Sequence, residues 1–312
     1  MTDIDPLTDF RADMPAPTAA YLSRTRDSLF SDVPGHGRVR VRSRARTRIA
    51  IAGSAAASAT AGLVALTFVG AGPASAASVL DQAAKAAAGQ PGAAVRAGQY
   101  TFAESTTHAN GRTTVSQQWL PVDGKGEGLI RDTAGYEIHL RDGAMVSKNP
   151  YPLPAGTPLI PIKGGAPLAP LDFPGYDYLL TLPTDPHALL GIIGAQARNL
   201  GARTDQARDQ EEFFIIAEAT SQSFLPPTVR ATFYQAAALI PGVTVIKDAK
   251  TADGRPGIAV ARTDGTQRLE LVFDKKTFAL LGDQSQNTAD GSVIQASVMT
   301  GSGIVDKIGQ RP

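Results

Sequence analysis

The side chains that most often carry out chemistry are few and scattered in this sequence. Its four histidines lie far apart, and none pairs with a second histidine or a carboxylate in a recognisable metal-binding motif: His36, His108, His139 and His187. Cysteine is absent, which excludes thiol catalysis, disulfides and zinc sites with cysteine ligands. We therefore expect no metal or other cofactor, and we interpret each histidine as an ordinary surface or loop residue.

Motifs of familiar catalytic sites are also missing from the sequence. It contains no Gly-x-Ser-x-Gly, no His-Glu-x-x-His and no phosphate-binding loop, since Gly124-Lys125-Gly126 lacks the earlier glycine that such a loop needs. A net charge of +1 gives no strong field that would attract nucleic acid or acidic substrates. We predict that the protein is not an enzyme and does not bind nucleic acid directly.

Two groups of carboxylates stand beside aromatic residues. Asp172 and Asp177 flank Phe173-Pro174-Gly175-Tyr176, where they could contact a ligand or partner or could cap turns, and capping is the favoured interpretation. Glu211 and Glu212 precede two phenylalanines, which is typical of a helix with a solvated face opposite a buried one.

A long uncharged segment follows a cluster of arginines near the N-terminus. Residues 49–72 carry no charge, and a helix of that length would reach about 36 Å, enough to span a hydrocarbon core of about 30 Å. The arginines occupy every second position before it: Arg38, Arg40, Arg42, Arg44, Arg46 and Arg48. Because positive flanks stay in the cytoplasm, we predict a single transmembrane helix at the cell membrane with the N-terminus inside.

Two other interpretations of this segment are open. Ala74-Ser75-Ala76 fits the small-residue pattern of a cleaved secretory signal, although 48 residues precede the apolar run, whereas secretory signals begin close to the N-terminus. A buried core helix would leave the adjacent arginines unexplained. We favour the membrane span over both.

Residues 1–48 form the predicted cytoplasmic head. A short helix is expected from Thr18 to about Ser31, with three apolar residues on one side: Leu22, Leu29 and Phe30. Such a helix cannot bury this stripe alone, so it either stays partly unfolded or docks into the groove of a partner. The arginines that follow suffice as a topology signal and as an anchor for anionic lipid.

Residues 73–312 form the predicted extracytoplasmic domain. A helix is expected over 78–88 with Ser78 as its cap, followed by strands over 99–105, 112–120 and 136–140 that are separated by glycine-containing turns. Trp119, the only tryptophan, is expected in the core. A later helix is expected to open at Asp185-Pro186, with Asp185 as its cap and proline at its first position, and to continue over 188–200. Two more helices are expected over 205–221 and 227–238, and later strands over 243–246, 257–261, 268–273, 280–286 and 292–299.

A Pro-rich stretch, 150–186, divides the early strands from the helices and predicts a long ordered loop or an extended arm. The order of strands, helices and strands indicates one α+β domain, with an antiparallel sheet covered on one face by helices. The fold class is therefore α+β, with one transmembrane helix.

The order of parts resembles an uncharacterised family of actinobacterial single-pass membrane proteins that are often encoded beside extracytoplasmic-function sigma factors. After the head and the Arg-rich flank, the resemblance rests on five motifs: Ala74-Ser-Ala-Ala-Ser-Val-Leu80, Gln118-Trp-Leu-Pro-Val-Asp-Gly124, Ala238-Leu-Ile-Pro-Gly-Val243, Leu271-Val-Phe-Asp274 and Gly309-Gln-Arg-Pro312. It covers nearly the whole chain, and its motifs mark structure and not chemistry. It implies an anti-sigma-like regulator.

A shorter resemblance concerns the last strands. Phe273-Asp274, then Thr277 and Leu280-Leu281, is similar to the strand-turn-strand repeat of periplasmic lipoprotein carriers and of sensors that bind anti-sigma factors. This similarity implies a half-barrel-like outer domain. The zinc-type anti-sigma head of other families uses one His and two Cys, which this chain lacks.

Together these features predict a membrane-anchored extracytoplasmic binding or sensor protein. Its outer domain binds an unknown ligand, and its head engages a partner, for which the resemblance suggests a sigma factor. The main alternative is a tethered carrier of a lipid or another apolar molecule. An exported enzyme is a third interpretation, without a candidate nucleophile or metal site in the sequence.

Overall fold

The computed structural model describes residues 75–149 and 158–312. The helices are α1 (Ala76–Ala88), α2 (Tyr176–Leu180), α3 (Pro186–Asn199), α4 (Asp205–Gln222) and α5 (Pro227–Ala237). The strands are β1 (Tyr100–Ala109), β2 (Arg112–Pro121), β3 (Glu127–Asp132), β4 (Glu137–Arg141), β5 (Ala144–Lys148), β6 (Ile160–Pro167), β7 (Thr244–Lys250), β8 (Pro256–Asp264), β9 (Gln267–Phe273), β10 (Leu280–Asn287) and β11 (Val293–Val305).

All eleven strands of the described residues form one open, half-barrel-like antiparallel sheet. Their order is β6-β5-β4-β3-β2-β1-β11-β10-β9-β8-β7, so two meanders meet where β1 pairs with β11. Short turns connect β1 to β2, β3 to β4 and β4 to β5. Asn110 and Gly111 between β1 and β2 have φ values of 50° and 70°, the left-handed conformations that a two-residue hairpin requires. The α+β class and the antiparallel sheet are confirmed.

Helices cover one face of this sheet, called here the helix face. The central helix, α4, lies across strands β8 to β11 and β1. Its Phe213 and Ile216 are completely buried against Leu271 of β9 and the other helices. A second apolar cluster covers the other half of the same face: Leu120, Ile130, Ile138, Leu140 and Met145, with Phe173 packed on it.

The boundaries of the helices agree with the sequence in most places. Asp185 caps α3 by accepting a hydrogen bond from the Ala188 amide at 2.8 Å, as its position before a proline predicts. In α1 the expected cap is wrong. Ser75, not Ser78, accepts the capping hydrogen bond, so the helix begins at Ala76 and buries Val79 and Leu80.

Three strands were not expected from the sequence. β3 and β5 have too few alternating apolar residues to be recognised, and β6 contains Pro161 and Pro167. Proline is tolerated in β6 because this strand forms an edge of the sheet. The prediction of a loop or arm over 150–186 is therefore wrong in part, since β6 and α2 lie inside it, while residues 150–157 are outside the described part.

The prediction for Glu212 is also wrong. Its side chain is only 7% exposed and pairs with Arg208 at 3.3 Å, because α4 is covered on the side that was expected to face solvent. Gly194 of α3 makes room for it, since a Cβ there would lie 2.6 Å from Glu212 Oε1. Burial raises the pKa of the Glu212 carboxyl above its ordinary value, although the Arg208 charge opposes this effect.

The predicted head (1–48) and membrane span (49–72) lie outside the described residues. So do the side chains expected to bind a partner or to set topology: Leu22, Leu29, Phe30, Arg38, Arg40, Arg42, Arg44, Arg46 and Arg48. Among the helices from Ala76 onward that the structure describes, none is long and apolar enough to cross a membrane.

The opposite face, called here the outer face, is partly covered by residues 306–312. Trp119 is completely buried there and packs against Phe102, with ring centroids 5.4 Å apart and ring planes inclined by 46°, which confirms its place in the core. Its indole N–H donates to the Gln310 carbonyl at 2.7 Å. Arg311 donates to the buried Glu104 carboxylate, which thus holds the segment on the sheet.

Glu104 connects this segment to the stability of the domain. Burial alone would raise the pKa of its carboxyl, but hydrogen bonds from Gln117, Arg311 and Thr300 and the charge of Arg311 outweigh burial and hold it below the ordinary value. The folded state therefore prefers the ionised form. The ionised carboxylate therefore stabilises the folded state at pH values above the ordinary pKa of the unfolded chain. This stabilisation is lost as the pH falls through the lowered pKa of the folded state.

We predict that Glu104→Gln lowers the free energy of unfolding at about pH 7 and that its difference from wild type shrinks below about pH 4. Urea denaturation of both proteins across this range measures the difference. If the difference in free energy of unfolding between wild type and Glu104→Gln did not change with pH, the role assigned to the ionised carboxylate would be wrong.

A second prediction concerns the central helix. Replacing Phe213 by alanine should lower the free energy of unfolding by roughly 3–5 kcal/mol, because it leaves a cavity where α4 meets the sheet. Leu239→Ala, at a side chain that is 36% exposed, is the matched control and should cost about 1 kcal/mol or less. Equal midpoints of chemical denaturation for the two variants would refute the central position of α4.

Candidate ligand cleft

A cleft opens in the sheet where β10 and β11 separate. These strands pair from Asp283 opposite Ser297 to Gln286 opposite Val293. Beyond Ser297, β11 continues to Val305 and pairs with β1, and the start of β10 pairs with β9; from residue 75 onward, no other described strand pairs with these two segments. The two backbone edges consequently diverge toward one end of the sheet.

A β-bulge at Thr300 accounts for the divergence. In the pairing with β1, Ser105 lies opposite Met299 and Glu104 opposite Gly301, so Thr300 is an extra residue. Its hydroxyl donates to Glu104 Oε1 at 3.1 Å. A bulge adds local twist and bends its strand, which turns this end of β11 away from β10.

The cleft contains a cavity of about 320 Å³. It is lined by the diverging strands and by the helices above them: Thr220, Ser221, Arg230, Leu280, Leu281, Gly282, Met299, Thr300, Gly301 and Ser302. At the end of α4, the Thr220 and Ser221 hydroxyls donate to carbonyls of their own helix at 2.8 and 2.6 Å. Their oxygens can still accept a hydrogen bond from a ligand.

Among the described residues that line this cavity, the only cationic side chain is that of Arg230 on α5. No carboxylate in residues 75–149 and 158–312 lies within ion-pair distance of its guanidinium. Arg262 of β8 differs, because its side chain is 6% exposed and contacts Asp209 at 3.6 Å, Gln210 at 2.7 Å and the Pro241 carbonyl at 3.1 Å. The contacts of Arg262 therefore stabilise the fold, whereas the guanidinium of Arg230 can bind a carboxylate or phosphate of a ligand.

Small polar residues continue along the helix face from the cleft. Thr107 and Ser297 hydroxyls lie 3.1 Å apart across β1 and β11, and Ser105 beside them is buried. Gln118 of β2 donates to the Gln222 carbonyl at the end of α4. This polar strip separates the two apolar clusters, so the helix face does not form one continuous apolar surface.

The residues that the sequence identified as candidates are not brought together. Asp172 accepts hydrogen bonds from the Ala169 amide and from Gln196, so it closes a turn, and burial raises the pKa of its carboxyl. Asp177 lies in the first turn of α2 and is exposed. Turn capping is thus the role that the contacts of Asp172 support.

The histidines are separate as well. His108 contacts the Thr113 hydroxyl at 2.9 Å, His139 contacts Glu137 at 2.5 Å, and His187 is exposed on α3; His36 lies outside the described residues. In the part of the chain that the structure describes, no three potential ligands among His, Asp and Glu converge on one point. No local pattern around Arg230 marks it as a candidate, because only pairing of distant strands forms the cleft beside it.

No protein-family model matches the sequence, and no curated protein matches it either. Among solved structures, the chain is similar to MucB in the MucA/MucB complex of Pseudomonas aeruginosa, with 13% identity, a TM-score of 0.30 and coverage of 76% of this chain and 58% of MucB. It is also similar to a LolA-superfamily protein from Nitrosomonas europaea, with 9% identity, a TM-score of 0.22 and coverage of 76% and 95%. These values are too low to support an inference about function.

The contrast between the two arginines can be tested. Arg262→Gln should lower the free energy of unfolding by about 3–5 kcal/mol, since it leaves the buried Asp209 without this charge partner. Arg230→Gln should change it by about 0.5 kcal/mol or less. Denaturant titrations of the two variants measure both values, and a large loss for Arg230→Gln would show that this side chain serves the fold.

Proposed function

We propose that this protein is a membrane-anchored sensor of the anti-sigma-like kind. Residues 73–312 bind a ligand outside the cell in the cleft between β10 and β11. Residues 49–72 cross the cell membrane once. Residues 1–48 stay in the cytoplasm, where Leu22, Leu29 and Phe30 engage a sigma factor.

The position of Arg230 supports this proposal. It lies on α5, and α5 packs closely against α1 through a cluster that includes Val79, Leu80 and Ala83. α1 begins four residues after the proposed span ends. A ligand that binds more tightly to one arrangement of α5 and α1 would therefore shift the helix that leads to the membrane.

The cavity gives less support to the alternative, a tethered carrier of a lipid or other apolar molecule. A volume of about 320 Å³ is at the small end of ligand pockets, and half of its lining residues are polar or charged. The proposal assigns no catalytic chemistry to the chain. Mass spectrometry of organic extracts of the purified protein separates the two functions, because a stoichiometric co-purifying lipid would favour the carrier.

Topology is the first test of the sensor. Because the chain has no cysteine, Ala20→Cys in the head and Ala289→Cys in an exposed turn each give a single label site. A membrane-impermeant maleimide should label position 289 on intact cells and position 20 only after permeabilisation. Protein that starts near Ala77 and is released from the membrane would overturn the proposal.

The head is the second test. The full-length protein with Leu22→Ala, Leu29→Ala and Phe30→Ala should lose co-purification of a sigma factor encoded beside it, because the apolar stripe is removed. Arg24→Gln with Asp27→Asn, on the other side of the predicted helix, is the matched control and should retain it. If wild type captures no such sigma factor, the regulatory part of the proposal is wrong.

A further inference from the structure

We propose that the cleft binds an extended peptide as an added strand on the open edge of β11, with a carboxylate of the peptide held by Arg230. This rests on the proposed function, which assigns the cleft to the ligand, and it names the class of ligand. The partner is thus an acidic peptide segment of another protein.

The backbone of β11 supplies the first reason. From Met299 to Val305 the strand pairs with β1 on one side, and no strand in the described ranges pairs with it on the other. Alternate residues of an antiparallel strand direct both N–H and C=O to one side, so about three residues present unpaired groups to the cleft. Thr300 and Ser302 are exposed, so an added strand could reach them.

The side chains along the cleft supply the second reason. Leu280, Leu281 and Met299 give apolar contacts, and methionine adapts to varied partners. Arg230 adds a charge that prefers a carboxylate. If the bulge only protected the edge of β11 from pairing with other chains, an arginine from a separate helix would not be needed beside it. Recognition of an acidic peptide uses both the unpaired backbone of β11 and the guanidinium of Arg230.

The fold also limits the length of the peptide. The cleft closes where Asp283 pairs with Ser297, and β1 ends its pairing with β11 at Val305. The open edge of 299–305 therefore accepts a segment of about seven residues. A pocket of about 320 Å³ accommodates only a few of its side chains, so specificity rests on the residues next to Arg230.

The experiment uses full-length protein in detergent and fluorescence polarisation. The probes are seven-residue peptides of alternating valine and threonine, each with one glutamate at a different position, together with matched peptides that carry glutamine instead. One glutamate peptide should bind at least tenfold more tightly than its glutamine match. Arg230→Gln should remove this preference, Arg230→Lys should retain part of it, and Arg203→Gln, at an exposed arginine elsewhere, should leave it unchanged.

Backbone N-methylation of the best peptide tests strand pairing itself. Methyl groups at alternate positions should abolish binding, because they remove the amides that face β11, and methyl groups at the intervening positions should be tolerated. Ser302→Trp should block the cleft and reduce affinity at least tenfold, with near-ultraviolet circular dichroism as the check that the variant is folded.

Three outcomes would overturn the inference. Absence of binding for every peptide up to about 1 mM would show that the bulge at Thr300 only protects the edge. Tolerance of N-methylation at every position would show a carboxylate site without strand pairing, which leaves the cleft as the ligand site of the sensor. Binding that neither Arg230→Gln nor Ser302→Trp affects would lie elsewhere and would remove the cleft from the proposed function as well.

Discussion

The pairing of β1 with β11 is the interaction on which the rest of the structure depends. It joins two meanders, each built from strands that are consecutive in the sequence, into one sheet. It also places residues from the start and the end of the domain in contact, as in the hydrogen bond between Trp119 and Gln310, which are 191 positions apart. Such pairing must overcome a large loss of chain entropy, so we expect it to form late in folding.

The same ladder creates the cleft. β11 follows β1 over ten pairs but pairs with β10 over only four, and beyond Ser297, where β11 carries the bulge at Thr300, the sheet opens on the β10 side. The cleft is more polar than the apolar clusters around it. It lies beside the polar strip and is lined by the positively charged Arg230. In contrast, the buried carboxylate of Asp209 on α4 is compensated by Arg208 of the same helix and by Arg262 of β8.

The motifs of the family resemblance have structural roles in this fold. Ser75 caps α1, Trp119 and Gln310 hold residues 306–312 on the outer face, and Asp274 accepts hydrogen bonds from two amides of the turn that follows it. The Pro241 carbonyl receives the Arg262 guanidinium. These residues maintain the architecture, whereas the proposed ligand site uses other positions, such as Arg230 and Ser302.

The sequence by itself determined the local elements: the capped helices, the hairpin at Asn110-Gly111 and most strands, because caps, turns and alternation act over a few residues. It did not determine β3, β5 or β6, whose short runs become strands only beside neighbours, or the burial of Glu212, which depends on α3 and Gly194. Only the tertiary structure decided the candidate site. Arg230, Thr220 and Ser302 come from three elements that meet through long-range pairing, and no local pattern can encode that meeting.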